Sequence, residues 1–144
     1  MENISESLKF FLNLTMTQAL IARRFDARLS IHSLSLNDFM ILFHLSKAPD
    51  EKLRRIDLAE KVGLSASAIT KKITPLEKIG MVTKEANARD ARVSFVKLAE
   101  GGNRVLHEAL QSAEMAAKEL YPKEKEEKLV QSNQVLIELG GSVQ

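Results

Sequence analysis

Between Ser65 and Lys72 the chain sets small hydroxyl and basic side chains, Ser65, Ser67, Thr70, Lys71 and Lys72, on one side of a helical run whose other side carries Ile69, Ile73 and Leu76. Small hydroxylic side chains let a helix approach a groove closely, and lysines reach phosphates or guanine edges. The amides of a helix N-terminus add donors for phosphate. This is recognition chemistry, made of hydrogen bonds and charge contacts, and it has a plainer alternative in a polar helix face that meets water. Covalent chemistry finds no comparable residues. There is no phosphate-cradling glycine loop, no HExxH, no serine or cysteine in a nucleophile setting, and no paired histidine and carboxylate spacing. An enzyme is not expected. The chain has no Cys, which removes disulfides, thiolate metal sites and thiol-based redox sensing. His32, His44 and His107 are scattered and unsupported by clustered carboxylates, so no metal site and no cofactor are expected.

Charge concentrates around that helix. The chain's net charge is +2, but residues 53–98 hold ten Lys or Arg against five Asp or Glu, a local +5, and the remainder carries −3. Phosphate binding depends on the local positive surface and the counterions it releases, so the regional value is the informative one. With 144 residues, 44% of them hydrophobic, the chain has one domain's worth of core. No segment reaches the ~18 uninterrupted apolar residues of a membrane span, and Met1 to Ser7 is acidic where a secretory leader is basic. A cytoplasmic protein with no membrane association is expected.

The elements that position the reading helix follow from periodicity. From Asn3 to Ser30, Leu8, Leu12, Ala19, Ala22 and Leu29 form one apolar row and Phe11, Leu14, Ile21 and Phe25 a second. The spacing predicts a helix of roughly 25 residues, about 37 Å long, apolar on two sides. It needs either one wide core or a core and a partner chain. Ser35 and Asp38 form a short capping box for a second helix through Phe39 to Leu45, stopped by Ala48-Pro49-Asp50. A third helix covers Ile56 to Val62, with Gly63 as its left-handed stop. Ser65 caps the fourth, which ends at Gly80. Two short helices joined across Gly63-Leu64-Ser65 have helix-turn-helix spacing.

After Gly80, Met81 to Ala86 and Val93 to Leu98 read as a β-hairpin with a charged tip at Asn87 to Arg92. Gly101-Gly102 opens a fifth helix with a seam of Leu106, Leu110, Ala113, Ala117 and Leu120. Pro122 marks the first turn of a sixth, which ends at Gly140-Gly141. Lys123 to Lys128 reads as a solvated helix start.

Taken together, Arg55-Ile-Asp-Leu-Ala-Glu-Lys-Val-Gly-Leu-Ser65, the run Ser67-Ala-Ile-Thr-Lys-Lys-Ile-Thr-Pro-Leu-Glu-Lys-Ile-Gly-Met-Val82, and Arg89-Asp-Ala-Arg92 followed by Val96-Lys-Leu98 resemble the MarR (multiple antibiotic resistance regulator) family of winged helix-turn-helix transcription regulators. The Leu-Glu-x-x-Gly helix end, the Asp-x-Arg wing and the entry into a long helix occur in the family's order and spacing, and the resemblance covers essentially the whole chain. It implies a mainly α fold with a small β-hairpin wing: a dimerisation helix over 1–34, a DNA-binding lobe over 35–99 and dimerisation helices over 100–144, one structural domain in all. It implies a homodimeric repressor on a pseudo-palindromic double-stranded DNA operator, recognition helices in the major groove and wings in the minor groove. The implied DNA-binding residues are Ser65, Ser67, Ala68, Thr70, Lys71, Lys72, Arg89, Asp90 and Arg92. Arg92 matches the wing arginine and Asp90 its acidic partner, although a turn-forming Asp serves as well. Arg89 is a second phosphate contact or a solvated loop residue.

Two departures stand out. Pro75 lies inside the recognition helix, where it deletes a backbone bond and can kink the chain, with altered packing against the wing as the expected result. Ala99 replaces the family's usual Thr cap. Family members commonly respond to small aromatic or phenolic molecules, and His32, Phe39, Phe43 and His44 are the candidate lining for such a ligand. The Phe39 and Phe43 pair at i,i+4 equally has the spacing of plain core. The rival reading is a winged helix that dimerises and binds another protein, which calls for exposed apolar residues on the recognition face.

Overall fold

In the computed structural model, which describes residues 3–90 and 92–143, the chain begins with helix α1, Glu6–Leu29. Ser5 caps it, its hydroxyl accepting from Leu8 N–H at 3.1 Å. Only its C-terminal end enters the chain's own core: Leu29 is fully buried and Phe25 half-buried, whereas Leu8, Phe10, Phe11, Leu12, Leu14 and Leu20 are exposed. Helix α2, Leu36–Lys47, starts on the expected capping box. Ser35 Oγ accepts from Asp38 N–H at 3.1 Å, and Asp38 Oδ2 accepts from Ser35 N–H at 2.9 Å, so the shorter Asp closes the box. A further bond, Leu36 N–H to Asp26 Oδ1 at 2.7 Å, ties the start of α2 to α1.

A three-residue strand β1, Lys52–Arg54, follows, which periodicity does not reveal. Helix α3, Arg55–Val62, ends at Gly63 with φ of 78°, and helix α4, Ala66–Lys78, ends before Gly80 with φ of 77°. The hairpin is β2, Val82–Ala86, and β3, Ser94–Leu98. β1 joins it to make an antiparallel sheet in the order β1-β3-β2, with Leu53 opposite Val96. Ile41, Leu42, Leu45, Leu58, Ile69, Ile73, Val82 and Val96 fill one core between α2, α3, α4 and the sheet. The fold is therefore the expected winged helix, with a third strand added to the wing. Pro75 does not break α4, which runs on to Lys78 with Pro75 on its exposed side.

Helix α5, Glu100–Leu120, crosses the lobe at its first turn. Its N-cap Ala99 supplies no side-chain bond, but Ala99 N–H donates to Met81 O at 3.0 Å. A Cβ on Gly102 would stand 2.0 Å from the same carbonyl oxygen, so only glycine lets α5 pass. The stripe that α5 buries in its own chain is Gly102, Leu106, Ala109, Ala113 and Ala116. Of the expected seam, Leu106 and Ala113 lie in this buried stripe, whereas Leu110 and Ala117 lie beside it and line a cleft toward α2. After Pro122, a short 3-10 turn at Lys123–Lys125 leads into helix α6, Glu126–Glu138, none of whose residues is buried.

Gly102→Ala is expected to destabilise the fold by about 3 kcal/mol or more, since a backbone must move to admit the methyl. Gly101→Ala, whose Cβ would meet Gly80 O at 3.1 Å, is expected to cost less. Urea unfolding of both variants checks this, and wild-type stability for Gly102→Ala would contradict it.

Candidate nucleic-acid interface

Helix α4 presents the candidate reading face. Its apolar side, Ile69, Ile73 and Leu76, is buried, while Ser67, Lys71 and Thr74 are exposed and Ala68 and Thr70 half-buried. Ser65 is committed to the cap, its hydroxyl accepting from Ala68 N–H at 3.1 Å. The amides ahead of it in the first turn have no carbonyl within the helix and are the natural anion donors. Lys72 is not brought onto the open face beside Lys71. It turns toward the start of α2, with Nζ 3.9 Å from Asp38 Oδ1 and 3.5 Å from Ser35 Oγ. Thr70 Oγ1 donates to Ala66 O at 3.1 Å and accepts from Arg55 Nη1 at 3.2 Å. The sequence places Arg55 at the start of the helix-turn-helix run and among its cations, but gives no signal of this contact with Thr70.

The wing tip is held by its own side chains. Asn87 Oδ1 accepts from Arg89 N–H at 2.8 Å, which shapes the turn and leaves the Arg89 side chain exposed. Asp90 Oδ1 accepts from Arg92 N–H at 3.0 Å and from Arg92 Nε at 3.2 Å, and its Oδ2 lies 3.4 Å from Arg92 Nη2. The Arg92 side chain remains 91% exposed, so Asp90 aims the guanidinium without covering it. The same contacts hold the Asp90 carboxyl below its ordinary pKa, first through the Arg92 side chain and then through its amide.

At the wing base a second network appears that the sequence reading did not find. Lys52 and Lys97 face each other in the β1–β3 register, a like-charge pairing that is unfavourable by itself. Glu85 on β2 lies between them, with Oε1 3.2 Å from Lys52 Nζ and Oε2 3.9 Å from Lys97 Nζ. Lys52 also stands 5.0 Å from the Phe95 ring centre. Lys84 reaches back to Glu77 of α4 at 3.8 Å, which ties the wing to the reading helix. The missing signal was β1 itself, since only that strand brings Lys52 alongside Lys97.

A cleft of about 300 Å³ opens between α2 and α5. Phe25, Phe39, Phe43, His44, Leu110 and Glu114 are among its walls. The Phe39 and Phe43 rings stack with centres 6.2 Å apart, and the His44 ring meets Phe43 edge-on at 5.8 Å. Burial, and secondarily the Lys61 charge, lowers the His44 pKa. His32 does not belong to this cleft. Its Nε2 lies 2.8 Å from Ser112 Oγ, in a separate depression that it shares with His107 on another face of α5. Among the described residues, no helix is long and apolar enough to cross a membrane.

A three-stranded wing behind a helix-turn-helix, carried between long helices, defines a winged helix-turn-helix protein. The MarR family model matches residues 34–94, which run from the entry to α2 to the first residue of β3. The uncharacterised HTH-type transcriptional regulator YdgJ of Bacillus subtilis is 25% identical over 116 residues, covering 81% of this chain and 68% of that protein. The transcriptional regulator BldR from Sulfolobus solfataricus superposes with a TM-score of 0.81 at 28% identity, covering 96% of this chain and 99% of its own. A mutant MarR from E. coli, solved with operator DNA, superposes with a TM-score of 0.81 at 18% identity, covering 96% of this chain and 99% of its own. Over residues 34–94 the chain is thus similar to the MarR family, and its fold is that of MarR-family structures.

His44 makes stability depend on pH in a defined direction. A histidine whose folded pKa lies below its unfolded value takes up its proton on unfolding, so stability is complete above an unfolded pKa of about 6.5 and declines as pH falls below it. Urea unfolding between about pH 7.5 and 5 is expected to show this decline, and His44→Gln to flatten it. An unchanged slope in the variant would contradict the assignment.

Proposed function

We propose that the chain is a homodimeric, cytoplasmic transcriptional repressor that reads a pseudo-palindromic operator through α4 in the major groove and the wing in the minor groove. Residues 35–99 form the reading lobe, and residues 1–34 and 100–144 the dimerisation helices. The observation that carries the reading is the pairing of an open, hydroxylic and basic α4 face, Ser67, Thr70 and Lys71, with an Arg92 guanidinium that is aimed by Asp90 yet stays in solvent. A protein-binding module would need apolar residues on that face, and Ser67, Lys71 and Thr74 stand there instead.

Two further features support the rest. Phe10, Phe11, Leu12 and Leu14 on α1, and Leu129, Val130, Val135 and Ile137 on α6, are exposed in the single chain. Exposed apolar surface at both termini is what a second copy would bury. The aromatic cleft between α2 and α5 joins the lobe to the dimer helices, so a small aromatic or phenolic molecule seated there would bear on both.

Sedimentation of the protein with a labelled operator duplex at several salt concentrations tests the reading. Two chains per duplex are expected, with a log–log salt slope near about −5, from about six phosphate-directed cations per dimer. Arg92→Ala is expected to weaken binding several-fold with the fold intact. One chain per duplex, or an affinity indifferent to salt, would contradict the proposal.

A further inference from the structure

Arg55 opens α3 and lies half-buried against α4. Its neighbour Arg54 is paired with Asp57 at 3.0 Å, but Arg55 makes no ion pair among the described residues. Its Nε is buried without a hydrogen-bond partner, and its guanidinium donates from Nη1 to Thr70 Oγ1 at 3.2 Å. A desolvated guanidinium nitrogen is costly, and a solvent-facing arginine would avoid that cost. What the placement achieves is control of one side chain on the reading face.

The Thr70 hydroxyl has one hydrogen and two lone pairs. The hydrogen goes to Ala66 O at 3.1 Å, and one lone pair receives Arg55. No hydrogen remains for guanine O6 or N7, adenine N7 or thymine O4. Threonine in a helix divides between two χ1 rotamers when only the carbonyl one turn back holds its hydroxyl. A second bond from outside the helix selects one of them. With the hydroxyl tied to the protein on both sides, the γ-methyl is the untethered branch, and a threonine methyl packs well on the 5-methyl of thymine.

We propose that Arg55 is a positioning residue for sequence specificity: by holding the Thr70 hydroxyl, it makes Thr70 read DNA through its methyl group and so select thymine. The proposal rests on the DNA-reading role assigned to α4 above.

The test compares the full chain's affinity for a selected operator with its affinity for the same duplex carrying deoxyuridine in place of each thymine in turn, a change that removes only the 5-methyl. A ratio of the two cancels any loss common to all sequences, whether from stability or from phosphate contact. At one position per half-site, the wild type is expected to favour thymine about fourfold, the worth of one buried methyl. Thr70→Val keeps the ratio and Thr70→Ser brings it to one. Arg55→Met lowers it toward one, and Arg55→Met combined with Thr70→Val restores it, because valine needs no tether. The two Thr70 variants, on the exposed side of α4, test the methyl contact even if Arg55→Met does not fold. A Thr70→Ser profile identical to wild type, or an unchanged ratio in folded Arg55→Met, would overturn the assignment while the regulator reading stands. A wild type that binds no duplex would overturn both.

Discussion

The architecture turns on a backbone crossing at which no side chain fits. Gly102, in the first turn of α5, passes so close to the Met81 carbonyl that a Cβ would overlap it, and Ala99 donates to that same oxygen. The strand that leaves the reading helix and the helix that leaves the wing are thereby locked to each other. Because α5 continues along α1, the angle between the lobe and the long helices is set at this point. The missing threonine cap at Ala99 matters less than the sequence implies, since the main-chain bond to Met81 anchors the same turn. The aromatic cleft lies across the same two bodies, between α2 and α5.

Electrostatics in the lobe is a matter of which cations are left over. Several of the lobe's cations are paired within the protein: Lys72 on the cap of α2, Arg54 on Asp57, Lys84 on Glu77, and Lys52 and Lys97 on Glu85. Most of these pairs are solvent-exposed and contribute little to stability, but they fix the wing relative to α4. Lys71, Arg89 and Arg92 remain open to an anionic partner, and Arg92 stays exposed while paired. A small number of well-aimed cations gives register on a duplex, where a diffuse basic surface would give only attraction.

Much of this was legible in the sequence, because it is written in local rules. The Ser35–Asp38 box, the left-handed stop at Gly63, the Ser65 cap and the alternation of the hairpin each depend on residues within a turn of one another, and each is present. What escaped depends on partners distant along the chain. β1 is too short to show a period and exists only because β3 offers it an edge. The stripe that α5 buries in its own chain shares Leu106 and Ala113 with the expected seam and adds Ala109 and Ala116, whose small side chains give little periodic signal. His32 joins Ser112 and not the phenylalanines. Pro75, expected to disturb α4, lies on its exposed side, and the helix runs through it to Lys78. For the reading face, residue types and spacing identified the side of the helix and the Ser65 cap, but not that the Thr70 and Lys72 polar atoms already have partners elsewhere in the chain.

The central claim is that two copies of this lobe grip a duplex with helices in successive major grooves and wings in the minor grooves beside them. Hydroxyl-radical footprinting on a duplex selected by the purified protein from a random pool tests it most directly. The account predicts a two-fold symmetric footprint, with the two half-sites centred about one helical turn apart and outer protection in the flanking minor grooves that disappears when Arg92 is replaced by Ala. A single unsymmetric patch, or cutting unchanged by saturating protein, would contradict it.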